Sequence, residues 1–227
     1  MDTTAEETAP WVKEKIEALG FKPGDIKFII STHAHADHVG GFMFFKKLTG
    51  AEVITSAADA PVMADGGRSD FRSDGRQLFT PIVPDRTVND GDEVRLGNLV
   101  LMAHITPGHT KGCTTWTTML EAGGKKYHAV IACQPDVHGD RAPLLNNSKY
   151  PNMAEDFAKT FTVLKNLPCD VFLALRSETF HLQEKMRLME QDPQRNPFID
   201  PEGYRAFVAA YEKRYLEQLA KERAASR

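Results

Sequence analysis

The sequence predicts an α/β fold, sheet layers covered by helices on the outside. Helices and strands alternate at both ends of the chain, hairpin-like strand pairs fill the middle, and no linker rich in Pro, Gly or Ser divides the 227 residues. We therefore expect one domain, 1–227. Pro10 to Leu19 reads as a helix, with Trp11, Ile16 and Leu19 near helical spacing and Gly20 placed to end it. A strand, Asp25 to Ser31, follows. Gly41 to Leu48 carries four consecutive apolar residues, Phe42 to Phe45, on a short buried helix stopped by Gly50, and Glu52 to Thr55 is a further strand.

Between Gly66 and Arg86 the chain turns polar and glycine-rich, which predicts a long surface loop and candidate lid. Turn signals at Asn89–Asp92 and Leu96–Asn98 bracket strands Glu93 to Arg95 and Leu99 to His104. Thr114 to Glu121 and Lys126 to Cys133 form a second pair around Ala122-Gly123-Gly124. Met153 to Leu167 is an amphipathic helix, Asp170 to Leu175 a strand, and Pro201 to Arg223 a long helix with a charged outer face.

Composition narrows the function classes. With 28 basic and 31 acidic residues and a net charge of −3, the chain has no basic stripe for nucleic acid. No apolar run approaches the roughly 18 residues of a membrane span, and Met1 to Glu7 lacks the regions of a signal peptide. A small-molecule substrate is the expected partner. The three cysteines, Cys113, Cys133 and Cys169, are widely spaced and include no C-x-x-C pair, so they are expected as small buried residues rather than a disulfide framework.

The chemistry concentrates in His33-Ala34-His35-Ala36-Asp37-His38, which packs four potential metal ligands into six residues directly after a strand. Neutral imidazoles two apart at a strand end can converge on one zinc ion, while Asp37 and His38 face a second position beside it. The turn Thr106-Pro107-Gly108-His109-Thr110 holds His109 rigidly at another strand end, where a third ligand is needed. Three protein ligands and an open fourth position are the catalytic arrangement of zinc, in which a bound water ionises near neutral pH. His104 reads as core or a support to the ligands. His128 and His138 lack ligand spacing, although His138 lies where it can line a pocket.

With these residues the chain resembles the metallo-β-lactamase superfamily, whose signature is H-x-H-x-D-H followed by a later metal-binding histidine. His104 to Trp116 and Asn196-Pro197-Phe198-Ile199-Asp200-Pro201 further resemble the third subclass, B3, of the true β-lactamases. The resemblance implies an αββα sandwich, with His33, His35 and His109 holding a first zinc and Asp37 and His38 contributing to a second site. It also implies hydrolysis of the β-lactam amide by metal-bound hydroxide, with Asp37 as the catalytic carboxylate, and a periplasmic location. One zinc per chain is firmly expected.

Two departures from that pattern matter. The strands that usually precede the first helix of the subclass are lacking, and the sheet edge this would expose predicts a homodimer or higher self-association. The second is at Asp170 to Phe180, where Arg176 stands at the position of a second-site histidine. Guanidinium has no lone pair for a metal, and at a dielectric near 20 a unit charge about 5 Å from a divalent ion is opposed by about 6–7 kcal/mol. A second zinc is therefore expected to be weak or absent unless Arg176 swings away or His181 substitutes. Gln134 occupies the neighbourhood of a serine of the subclass. Asp136 lies near where related thioester hydrolases keep a bridging aspartate, and lactone or thioester hydrolysis, or a catalytically impaired metal-binding role, is the alternative.

Overall fold

The computed structural model describes residues 1–226, which form two compact units. The first comprises Met1–Asn89 with Thr110–Thr114, and the second Asp90–His109 with Thr115 onward.

The first unit is built on a parallel three-stranded sheet, β1 (Phe28–Ile30), β2 (Glu52–Ser56) and β3 (Arg86–Val88), in that order. Ile30 pairs with Ile54 and Ser56 with Val88. Helices α1 (Ala9–Ala18), α2 (Ala36–Val39), α3 (Phe42–Thr49) and α4 (Ala60–Ala64) complete it. Ile29 and Val53 of the sheet meet Phe42 and Phe45 of α3 and Met63 of α4 in one apolar cluster. Gly50, at φ +69°, ends α3 in the left-handed conformation that a side chain disfavours. On α1 the apolar face differs from the one the spacing predicts. Ala9, Val12 and Ile16, separated by three and four residues, pack on the cluster, while Trp11 and Leu19 are exposed.

Strand β1 is shorter than expected because Pro23–Asp25 turns as a 3-10 helix before it. The polar loop after Gly66 is not simply a surface excursion. Asp70, Phe71, Ser73, Phe79 and Ile82 are buried, and Phe79 and Ile82 join the apolar cluster.

The second unit holds a five-stranded sheet in the order β4 (Glu93–Leu96), β5 (Leu99–Ile105), β6 (Thr114–Ala122), β7 (Lys125–Ala132), β8 (Val171–Ala174). Strands β4–β5 and β6–β7 pair antiparallel, the latter through Gly123 and Gly124, both at positive φ, which is the two-residue turn whose twist suits a hairpin. Strand β8 runs parallel to β7, with Ala132 opposite Ala174.

Helices α5 (Met153–Asn166), α6 (Leu182–Gln191) and α7 (Pro201–Ala225) belong to this unit. Tyr215 of α7 lies against Phe157 and Phe161 of α5, and its hydroxyl donates to the Ala154 carbonyl at 2.9 Å. Phe172 of β8 meets Tyr204 and Phe207 of α7. The start of α7 is fixed by Asp200, which accepts from the Gly203 N–H at 2.8 Å and pairs with the buried Lys185 of α6 at 2.7 Å. Three rings, Phe172, Phe180 and Phe198, lie within 6 Å of that ammonium.

The cysteine expectation needs correction: Cys113 and Cys133 are disulfide-bonded and fully buried, and Cys169 is the free thiol. Wide spacing in sequence concealed a bond that only the tertiary fold makes.

Candidate metal centre

The chain leaves β1 at Ser31, bends at Thr32 and reaches His35, which is extended, before α2 begins. His33 and His35, two residues apart, bring their side chains together. Their rings lie edge to face at 4.5 Å, and the His38 ring, brought back by the first turn of α2, lies 4.1 Å from that of His33. All three are buried.

Three carboxylates that carry no motif of their own hold this segment. Asp2 accepts from the Thr32 N–H at 2.8 Å and the Thr32 hydroxyl at 2.7 Å, and it faces His38 Nδ1 at 3.0 Å. Because the Thr32 hydroxyl donates to Asp2, its lone pair is turned to His33 Nδ1, 3.2 Å away. Asp70, from the loop after Gly66, faces His35 Nε2 at 3.3 Å. Burial works to raise its pKa, but His35 and Arg72 outweigh burial and bring it down to about 2.

Asp59 is the third. It accepts from the Ala34 N–H at 2.9 Å, the Thr110 hydroxyl at 2.8 Å and the Gly112 N–H at 2.8 Å. The Thr114 N–H adds a bond to the Thr32 carbonyl at 2.8 Å. Residues 110–114 are thus fastened to the strand end that carries His33 and His35, and His109 is the residue immediately before them. Gly112 has no room for a side chain, since a Cβ there would lie 2.0 Å from Ser56 Oγ and 2.6 Å from the Asp59 carboxyl carbon.

The approach of the chain to His109 is equally constrained. Gly108 sits at φ +130°, and a Cβ on it would come within 2.7 Å of the Phe157 ring. The Thr160 hydroxyl donates to the Pro107 carbonyl at 2.6 Å. His109 Nδ1 donates to the Asp136 carbonyl at 2.8 Å, which fixes the proton on Nδ1.

His33, His35 and His109 each offer one ligand atom, and these atoms lie within 4.8 Å of one another. The donor set fits zinc. Each ring has one nitrogen against an oxygen, from Thr32, Asp70 or Asp136, the supporting contact that orients a ligating imidazole through its opposite nitrogen. Burial lowers the pKa of His35 against the opposing pull of Asp70, keeping the ring neutral as a ligand must be.

The remaining predicted residues divide. Asp37 is half-exposed, with Oδ2 3.4 Å from His38 Nε2. Burial opposes protonation of His38, yet Asp2 and Asp37, one at each ring nitrogen, raise its pKa to about 9. Gln134 Oε1 is buried with no hydrogen-bond partner among the described residues. The Asp136 carboxylate lies 3.7 Å from Arg214 of α7; burial raises its pKa while Arg214 and Arg176 pull it down. Arg176 is exposed in the loop after β8, and His181 is exposed at the start of α6 with φ +55°. His104 donates or accepts at the Thr117 hydroxyl, 2.8 Å away, as a support within the sheet.

The sequence profile of the metallo-beta-lactamase superfamily matches residues 2–119, and the chain belongs to that superfamily. Its similarity to solved structures is to the B3 subclass. Native FEZ-1 metallo-beta-lactamase from Legionella gormanii is 38% identical with a TM-score of 0.94, over 98% of this chain and 85% of that one. BJP-1, a subclass B3 metallo-beta-lactamase of Bradyrhizobium japonicum, is 34% identical with a TM-score of 0.90, over 100% of this chain and 85% of that one. Among curated relatives, hydroxyacylglutathione hydrolase from Methylococcus capsulatus is 33% identical over 44% of this chain and 31% of its own length. The chain spans about a third of the length of the first curated relatives it matches. Among the described residues, no helix is long and apolar enough to cross a membrane.

Proposed function

We propose that the chain is a zinc-dependent hydrolase that opens the amide bond of β-lactams. The observation that carries this is the convergence of His33, His35 and His109 donor atoms within 4.8 Å, on a chain similar to FEZ-1 over nearly its whole length. Zinc held by these three histidines would supply an electrophile and a nucleophilic water active at neutral pH. Asp70 and the Asp136 carbonyl hold two of the ligand rings in place, so that geometry is set before metal arrives. Asp37, half-exposed beside the ligands, would orient the attacking water and accept its proton.

A second zinc would be held weakly, because Arg176 stands in the sequence where the resembled subclass has a ligand and His38 is engaged by two carboxylates. Cys113 and Cys133, each disulfide-bonded, support an oxidising compartment such as the periplasm. Purified protein assayed against nitrocefin, a carbapenem and S-lactoylglutathione, with zinc measured by mass spectrometry, tests the assignment. We expect one zinc per chain and β-lactam turnover that His109→Ala abolishes. Turnover of the thioester alone would transfer the protein to the other branch of the superfamily, and absence of both zinc and turnover would reject a catalytic role.

A further inference from the structure

His138 has no ligand spacing in the sequence, yet it makes a specific contact with the main chain of His109. Its Nε2 donates to the His109 carbonyl at 2.8 Å, and the two rings pack at 4.5 Å between centroids, tilted by 37°. The hydrogen bond from His109 Nδ1 to the Asp136 carbonyl runs the opposite way between the same two segments. The two bonds form a reciprocal clasp: residue 109 gives through its side chain and receives through its backbone, and residues 136–138 do the same, receiving at the Asp136 carbonyl and giving from the His138 ring. Neither bond can be kept if one segment slides along the other.

We propose that His138 is a positioning residue for the metal ligand His109, a role that rests on the zinc assignment above. The Asp136 carbonyl sets which His109 nitrogen carries the proton, a bond that does not by itself fix the tilt of the ring. The His138 ring, packed against the imidazole, removes that tilt, and its Nε2 stops the backbone of residue 109 from drifting. Phe157 beneath Gly108 and Thr160 on Pro107 hold the other side of the turn. The far end of the 134–147 segment is pinned as well, because Glu222 of α7 accepts from the Leu144 and Leu145 N–H groups at 3.1 and 2.8 Å. The clasp therefore acts from a fixed base rather than a swinging loop.

Two variants separate the parts of the contact. His138→Phe keeps a ring against His109 and removes the donor, whereas His138→Gln keeps an amide donor near the place of Nε2 and removes the ring. Zinc affinity is measured by chelator competition, melting temperature on metal-free protein, and the His109 tautomer by its ring nitrogen resonances without metal. We expect His138→Phe to weaken zinc binding at least about tenfold, the scale found for groups that orient a ligating histidine, with His138→Gln restoring most of it. The metal-free melting temperature should stay within a few degrees in both. In wild type the His109 proton should sit on Nδ1, and in His138→Phe that resonance should broaden or shift. Wild-type zinc affinity in His138→Phe, or equal losses in both variants together with a collapse of melting temperature, would overturn the role. A wild-type chain with the expected tautomer but no zinc would instead refute the zinc assignment.

Discussion

Removing the Asp59 carboxylate strikes the point where the two ligand-bearing segments are tied. Asp59→Ala leaves the Ala34 N–H, the Gly112 N–H and the Thr110 hydroxyl buried without their acceptor. At about 1–3 kcal/mol for each orphaned buried donor, the gross loss is about 6 kcal/mol. An opposing contribution comes from the charge itself. Burial raises the Asp59 pKa to about 6, against the lowering by Thr110, Ala34 and Gly112, from the 3.8 of an exposed carboxyl. Because the folded pKa lies above the unfolded one, the stability linked to this group is full below 3.8 and is lost as pH rises through about 6. Two pKa units amount to about 3 kcal/mol, so the ionised carboxylate at pH 7.5 has already forfeited about half of the gross gain. The expected cost of Asp59→Ala is therefore about 3 kcal/mol at pH 7.5 and about 5 kcal/mol at pH 4.5. Urea denaturation of metal-free wild type and variant at both pH values measures it, and the difference between the chains cancels the other titrating groups. A penalty under about 1 kcal/mol at both values, or one that shrinks in acid, would show that Asp59 does not bind these donors as a buried carboxylate.

Gly108→Ala should lower stability by about 2–4 kcal/mol in the same assay, since φ +130° and the Phe157 ring both exclude a methyl group. Asp2→Asn should flatten the stability profile on the alkaline side. His38 is raised to about 9 chiefly by Asp2 once the opposing burial is overcome, so its contribution is full below pH 6.5 and lost as pH rises through about 9. An unchanged slope of denaturation free energy between pH 6.5 and 9.5 would count against that pairing. Arg176→His should raise zinc from one toward two per chain by mass spectrometry and increase kcat/KM on nitrocefin, each tenfold corresponding to about 1.4 kcal/mol. Two tightly held zincs in wild type would remove the premise.

Much of the fold was legible because its signals are local. The turns at Gly97 and Gly123-Gly124 mark hairpins, and the apolar spacing of α5 and the Pro201 start of α7 place those helices to within two residues. Strand β3 escaped notice, being three residues long and bounded by polar ones, and its pairing with β2 is set by contacts 32 residues apart. The site divides in the same way. His33, His35 and His109 declare themselves by residue type and by position at strand ends. Asp2, Asp59 and Asp70 do not, because a buried carboxylate has the same letter as a solvated one and each acts on partners 30 or more residues distant or brought near only by folding. The Gly66–Arg86 loop misled for a related reason. Its polar composition reads as solvent-facing, yet the polar Asp70 turns inward to meet His35.

The pairing of Lys185 with Asp200 has a bearing on how this protein can change over generations. A cation sealed among three aromatic rings cannot be traded for another residue without stranding the carboxylate that starts α7. Slipping that start by one residue would rotate the 25-residue helix by about 100° and carry Phe207, Tyr211 and Tyr215 away from their neighbours. The loop from Asp192 to Asn196 is exposed throughout. Insertions and drift accepted by descendants of this chain should therefore gather there, while the two ends of the ion pair are inherited together.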